Sequence, residues 1–214
     1  MKKLAIFDFD GTLFDSIHDV LICFNKALRI HDFSTLTREE LIPCLGGNID
    51  EIISLVLRDN NTTQNIETVK KTYLDLYYSS KKELTVPFPK AHDLLRTLQN
   101  NNVLLAVNSN RLSDSLEHFV DKFFTDIDFV LVEGHNLTDP SKPHPCGVQK
   151  IMRKADVLPS EVIYIGDSQT DIATAKNAGI DCLVVKWGYG NENDWEDDYI
   201  LESVEDMCEI PKYF

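Results

Sequence analysis

The sequence predicts an α/β fold, a doubly wound parallel sheet with a helical insertion after its first strand. Three observations predict it. From residue 91 onward, short apolar runs alternate with amphipathic stretches, the rhythm of strands and crossover helices in a parallel sheet. The first apolar run, Leu4-Ala5-Ile6-Phe7, ends abruptly in Asp8-Phe9-Asp10-Gly11-Thr12, and the C-terminal ends of strands are where open α/β sheets hold their ligands. Between residues 15 and 82, by contrast, the apolar spacing is helical and no good strand is found.

Taken in order, Leu4 to Phe7 reads as a buried parallel strand because its apolar run is continuous rather than alternating. Ile17, Val20, Leu21, Phe24 and Leu28 recur at three- and four-residue steps and predict a helix over 15–30, capped by Asp15 or Ser16. Thr37-Arg38-Glu39-Glu40 has the form of a capping box and opens a short helix that Pro43 and Gly46-Gly47 stop. Helices over 49–57 and 66–78 follow, the second with Val69, Tyr73, Leu76 and Tyr77 on one side. Val86-Pro87-Phe88-Pro89 then breaks the pattern. Two domains are expected, an α/β core of residues 1–14 and 83–214 and a helical domain of residues 15–82. Within the core, helices are expected over 91–98, 112–119, 146–155 and 171–178, and strands over 103–107, 129–132, 162–165 and 182–185. The acidic tail, 191–214, carries one last short helix over 204–208.

The 214 residues suffice for one substantial domain with an insertion, and 43% hydrophobic with 26% charged residues is ordinary globular composition. A formal net charge of −14 repels the phosphate backbone of nucleic acids, so no nucleic-acid partner is expected. No apolar run approaches membrane-spanning length, and the one after Met1-Lys2-Lys3 is too short for a signal-peptide core. Cys23, Cys44, Cys146, Cys182 and Cys208 are odd in number, scattered and without a C-x-x-C pair. Neither a zinc site nor a disulfide framework is suggested, and a reduced, cytoplasmic protein is expected.

Four strand ends carry the chemistry. Alternation points Asp8 and Asp10 the same way, and two carboxylates brought close repel unless a cation or a proton intervenes; an acidic turn capping a helix is the alternative. The run Asn108-Ser109-Asn110-Arg111 offers a hydroxyl and a following backbone N–H, which either hold phosphoryl oxygens or form an ordinary turn. Lys142, in Ser141-Lys142-Pro143-His144-Pro145, is either a solvated charge or a cation aimed at carboxylates. His144 is expected to be a loop residue rather than a ligand, since no second His or Cys stands at ligand spacing from it. In Gly166-Asp167-Ser168-Gln169-Thr170-Asp171, Asp167 suits a hard cation such as Mg²⁺. Asp171 falls in a first helical turn, where it either serves the helix dipole or supports a metal. Gly46 and Gly47 allow close backbone approach by a substrate, or merely connect two helices. Each cluster is weak alone; in this order, in one sheet, the four together are specific.

With those residues in view, the chain resembles the haloacid dehalogenase-like hydrolase superfamily over essentially its whole length. The resemblance rests on Asp8-Phe9-Asp10-Gly11-Thr12, Ser109-Asn110, Lys142-Pro143 and Gly166-Asp167-Ser168-Gln169-Thr170-Asp171. Ala175-Lys176-Asn177-Ala178-Gly179 and Trp187-Gly188-Tyr189-Gly190 are similar to its phosphoglycolate phosphatase-like branch. The resemblance implies a Rossmann-like core with an α-helical cap after the first motif, hinged near Asp15-Ser16 and over 79–89. It implies Asp8 as nucleophile and Asp10 as acid and base. Mg²⁺ would be held by Asp8, the backbone carbonyl of Asp10 and Asp167, with Asp171 touching or supporting it. Ser109, the Asn110 backbone and Lys142 would hold the transferring oxygens. Thr12, Gly46 and Gly47 are further substrate-binding candidates. Dehalogenases of the superfamily lack the second aspartate, so Asp10 favours phosphoryl transfer; sugar-phosphate mutases carry a histidine where this chain has Val20. The expected function is a Mg²⁺-dependent phosphatase for a small phosphorylated metabolite, with phosphoglycolate the first candidate. Pyrophosphate, sugar phosphates and nucleoside monophosphates remain alternatives, as does mutase chemistry. From another class, a phospho-aspartate receiver domain shares the constellation, but the helical insertion and Asp10 stand against it.

Overall fold

The computed structural model describes residues 1–136, 138–195 and 200–214. The chain divides into two compact units, Met1–Phe14 with Pro87–Phe214, and Asp15–Val86.

The smaller unit is helical, with α1 (Ile17–Ile30), α2 (Arg38–Leu41), α3 (Ile49–Leu57) and α4 (Thr63–Ser79). Helix α1 starts two residues later than expected because Phe14–Asp15 is drawn into a short strand paired with Val86–Pro87. Thr37 and Glu40 form the expected capping box, each backbone N–H donating to the other's side chain. Helix α4 starts at Thr63, earlier than expected, because the Thr62 hydroxyl accepts from the Asn65 N–H at 3.2 Å. Phe24 of α1 stacks on Tyr73 of α4 at 4.1 Å, and Tyr73 on Tyr77, so aromatic burial joins the two longest helices. Buried Asp19 accepts from the Leu84 N–H at 3.0 Å and the Thr85 hydroxyl at 2.8 Å, tying the returning segment to α1. Gly46 and Gly47 precede α3, whose cap is Asn48. A Cβ on Gly47 would lie 2.4 Å from a carboxylate oxygen of Glu51, the acid that completes the cap.

The larger unit holds a six-stranded sheet made of β1 (Leu4–Phe7), β2 (Leu104–Leu112), β3 (Phe129–His135), β4 (Val162–Gly166), β5 (Asp181–Val185) and β6 (Ile200–Val204). The strand order is β3-β2-β1-β4-β5-β6 and every pairing is parallel. This is the doubly wound arrangement, whose order reverses beside β1. Helices α5 (Ala91–Asn100), α6 (Ser113–Phe123), α7 (Cys146–Ala155) and α8 (Gln169–Ala178) complete the layers. Every residue of β1 is buried, and alternation along it feeds two cores. Ala5 and Phe7 pack with Leu94, Leu95 and Leu98 of α5 and with Leu116 and Phe119 of α6. Leu4 and Ile6 pack with Val148 and Ile151 of α7 and with Ile172 and Ala175 of α8. At roughly 1.5–3 kcal/mol for each large apolar side chain buried, the two cores fix β1 as the central strand. No helix of the described residues is long and apolar enough to cross a membrane.

Three expectations are corrected. Strand β2 runs past Val107 to Leu112, because β3 continues beside it until Leu112 meets His135. Helix α6 therefore begins at Ser113, not Leu112, and extends to Phe123. In the acidic tail, of which 196–199 lie outside the described residues, the helix expected over 204–208 gives way to β6. That strand pairs with β5 and buries Val204, and a 3₁₀ turn over Met207–Tyr213 follows, burying Met207 and Ile210.

Candidate active site

The site lies where β1, β2 and β4 end. The Asp8 N–H donates to the Ile165 carbonyl at 2.8 Å, so the sheet ladder still governs the first aspartate. The chain then folds back, with the Leu13 and Phe14 N–H groups donating to the Phe9 carbonyl at 3.0 and 2.9 Å. Gly11 has φ of +82°, and a Cβ there would lie 2.3 Å from an oxygen of Asp167. Glycine is needed both for the backbone conformation and for the close approach of the β4 loop.

Lys142 stands at the centre. Its ammonium lies 2.7 Å from a carboxylate oxygen of Asp8 and 2.7 Å from one of Asp171, and donates to the Tyr164 hydroxyl at 3.2 Å. Asp8, Lys142, Asp167 and Asp171 are all buried. Asp171 is fully enclosed, and its second oxygen accepts from the Asp167 N–H, the Ser168 N–H and the Ser168 hydroxyl. It therefore caps α8 and braces Lys142 at once. Asp167 accepts from the backbone N–H groups of Tyr189 at 2.6 Å and Gly190 at 3.2 Å. Behind the cluster, Tyr164 donates its hydroxyl to the Asn108 carbonyl at 2.9 Å.

The electrostatics are unbalanced. Asp8, Asp167 and Asp171 can each direct one oxygen so that the three lie within 4.8 Å of one another. Burial, reinforced by the neighbouring Asp171 carboxylate, holds the Asp8 carboxyl well above the usual range despite Lys142. Burial and Asp171 likewise push Asp167 up to about 7. Burial alone would pull Lys142 down, but the carboxylates of Asp171 and Asp8 outweigh it and hold the ammonium charged. Crowded carboxylates short of positive charge are the donor set that fits a hard divalent cation.

Asp10 turns to a different partner. Both of its oxygens are bound by the guanidinium of Arg111, through Nε at 3.0 Å and through Nη2. The Arg111 N–H donates to the Ser109 hydroxyl oxygen at 3.1 Å. The Asn110 side chain is committed to the Lys142 backbone, accepting from its N–H at 2.7 Å and donating to its carbonyl at 3.1 Å. The Thr12 hydroxyl is buried and has no hydrogen-bond partner among the described residues, while the Thr12 carbonyl accepts from the Trp187 indole at 3.0 Å. The strand ends thus bring together Asp8, Lys142, Asp167 and Asp171, with Asp10, Thr12, Ser109 and Asn110 on the same turn and strand end. Gly46 and Gly47 belong to the helical unit. Sequence reasoning missed Arg111, Tyr164 and the N–H donors of Tyr189 and Gly190.

Comparison with known proteins agrees with this geometry. Residues 5–185 match the family described as haloacid dehalogenase-like hydrolase. A phosphoglycolate phosphatase of Aquifex aeolicus is 26% identical over 208 residues, covering 97% of this chain and 96% of its own. One from Pasteurella multocida is 30% identical over 195 residues, covering 88% and 86%. Among solved structures, a protein from Lactobacillus delbrueckii subsp. bulgaricus superposes with a TM-score of 0.92 at 25% identity, over 100% of this chain and 98% of its own. A haloacid dehalogenase-like family hydrolase from Streptococcus pneumoniae shares the fold, with a TM-score of 0.88 at 20% identity over 100% and 98% of the two chains. With the family match spanning most of the sequence and its residues meeting at the strand ends, the chain belongs to the haloacid dehalogenase-like hydrolases.

Proposed function

We propose that this hydrolase is a Mg²⁺-dependent phosphatase that cleaves a small phosphomonoester, phosphoglycolate first among them, through an aspartyl-phosphate. The observation that carries the reading is the buried group of Asp8, Asp167 and Asp171 around Lys142, at the C-terminal edge of the sheet. The phosphoglycolate phosphatases among its relatives support the substrate class. Bound by Asp8, Asp167 and the Asp10 carbonyl, with Asp171 supporting, Mg²⁺ would neutralise charge so that an anionic nucleophile can meet an anionic phosphate.

The residues of the chain carry the chemistry. A carboxylate oxygen of Asp8 bonds to phosphorus as the ester P–O bond breaks, and Asp10 gives its proton to the departing oxygen. Asp10, now ionised, takes a proton from water. The water oxygen bonds to phosphorus, the Asp8 O–P bond breaks, and inorganic phosphate leaves. Ser109, the Asn110 backbone and Lys142 hold the phosphoryl oxygens, where positioning and charge neutralisation supply most of the catalysis. Thr12 joins them as a substrate-binding group, supported by its unpartnered buried hydroxyl. The helical unit serves as a cap, with Gly46 and Gly47 as its substrate-facing residues; its place in the chain after the first motif supports this part. A cytoplasmic setting rests on the odd, scattered cysteines.

A receiver domain is set aside because the matching family is one of hydrolases. The test is phosphate release from phosphoglycolate, sugar phosphates, nucleoside monophosphates and pyrophosphate, with Mg²⁺ and with excess chelator. Rapid, chelator-sensitive release from phosphoglycolate is expected. Preference for pyrophosphate or a sugar phosphate would replace the substrate, and no release from any compound would overturn the phosphatase.

A further inference from the structure

Arg111 takes no part in the steps above, yet it is an enclosed cation that binds both oxygens of Asp10. Its side chain is 6% exposed, against 32% for that of Asp10. The guanidinium lies 5.0 Å from the centre of the Phe9 ring and 5.4 Å from that of Phe119, and its Nη1 donates to the Ser115 hydroxyl oxygen at 3.2 Å. Phe9 and Phe119 are themselves fully or almost fully buried. Aromatic walls and the Ser115 contact therefore fix the fork, and the fork grips both oxygens of Asp10.

We infer that Arg111 is a positioning residue, which sets the plane and direction of the Asp10 carboxyl so that it can deliver and collect a proton at the phosphoryl centre. The inference rests on the phosphatase reading. The geometry of the fork suits arginine to this task and would not suit lysine, and the carboxylate leaves room for it. A planar guanidinium binds a carboxylate through two parallel N–H groups, fixing orientation as well as distance. A carboxylate has about four acceptor sites, and the fork occupies two, so proton transfer does not require the pair to break. The Arg111 N–H also orients Ser109, so one residue couples the acid and base of the first strand end to the phosphoryl-binding hydroxyl of the second.

A positioned acid matters most when the leaving group is a poor one. The experiment therefore compares Arg111→Met and Arg111→Lys with the wild type on p-nitrophenyl phosphate, propyl phosphate and phosphoglycolate, after thermal melts confirm folding. In both variants, kcat/KM for the two alkyl esters should fall about 100-fold, the scale of a lost general acid. For p-nitrophenyl phosphate, which needs little protonation of its leaving group, kcat/KM should fall less than about fivefold. That substrate should also give a burst of nitrophenol equal to the enzyme concentration, because water activation by Asp10 has become slow. Equal losses in kcat/KM on all three esters without a burst would reduce Arg111 to a structural role. A loss confined to phosphoglycolate would make it a carboxylate-recognition residue. Either result overturns the inference, and should the methionine variant not fold, the lysine variant decides alone. Failure of the wild type on these three esters and on every compound of the wider panel would instead contradict the phosphatase.

Discussion

Asp8 and Asp10 sit two residues apart on one turn, yet their surroundings differ in kind. Asp8 shares a single buried ammonium with Asp171, and Asp167 adds a third carboxylate to the group. Asp10 has a guanidinium fixed on both of its oxygens, and its side chain remains one-third exposed. The first environment is short of positive charge, so burial and crowding raise the carboxyls and the group gains from a cation. The second is matched in charge and closely shaped, so what it gives its carboxyl is orientation. On the proposed phosphatase reading, one turn would thereby offer a nucleophile that needs a metal and a proton carrier that needs a direction.

The sharpest way to break this comparison is to remove the shared cation. Lys142→Met leaves Asp8 and Asp171 buried without their ammonium, which should cost about 3–5 kcal/mol of stability in urea unfolding, with turnover lost. A stability within about 1 kcal/mol of wild type would mean that Lys142 does not balance the cluster. A smaller effect is expected from Gly188→Ala. The new Cβ would lie 2.3 Å from the Asp167 Cβ and 2.5 Å from the Gly11 carbonyl oxygen, pressing the loop off the carboxylate it holds. Mg²⁺ affinity, measured by titration calorimetry, should weaken about 10- to 100-fold, as when the supports of a metal ligand are disturbed. Unchanged affinity would show that the 187–190 loop does not position Asp167.

The smallest effect is a pH dependence. Burial and Asp171 raise Asp167 to about 7 from a usual 3.8, so the folded chain binds a proton that the unfolded chain has released. This group therefore weakens the metal-free protein as pH rises from about 4 to 7, and a divalent cation removes that penalty. The Mg²⁺-induced rise in Tm should be larger at pH 8 than at pH 5.5, by a few degrees. Equal rises would show that no proton competes with the metal for a carboxylate of the cluster.

Much of the fold was legible because apolar runs of strand length stop at chemical residues. Leu4–Phe7 ends at Asp8 and Val162–Gly166 at Asp167, so strand ends and candidate ligands were read together. Lys142 was legible from its place in Ser141-Lys142-Pro143 just before a helix, though its double pairing was not. Arg111 escaped because its partner is 101 residues away, and only the pairing of β1 with β2 brings the two together. The donors to Asp167 escaped because backbone N–H groups of Tyr189 and Gly190 leave no side-chain signature. Strand β6 escaped because an edge strand buries little: Leu201 and Glu202 are exposed, and only Val204 is fully enclosed.

The most direct test of the account is to trap the covalent state. Wild-type protein and Asp8→Asn, with Mg²⁺, would be mixed with labelled phosphoglycolate, acid-quenched within milliseconds and digested for mass spectrometry. The account predicts labelled phosphate on the Asp8 peptide of the wild type, labile to hydroxylamine as an acyl phosphate is. It also predicts a folded Asp8→Asn protein that carries no label and turns over at least about 10⁴-fold more slowly. Normal turnover by Asp8→Asn, or wild-type turnover with no phosphate ever found on Asp8, would contradict it.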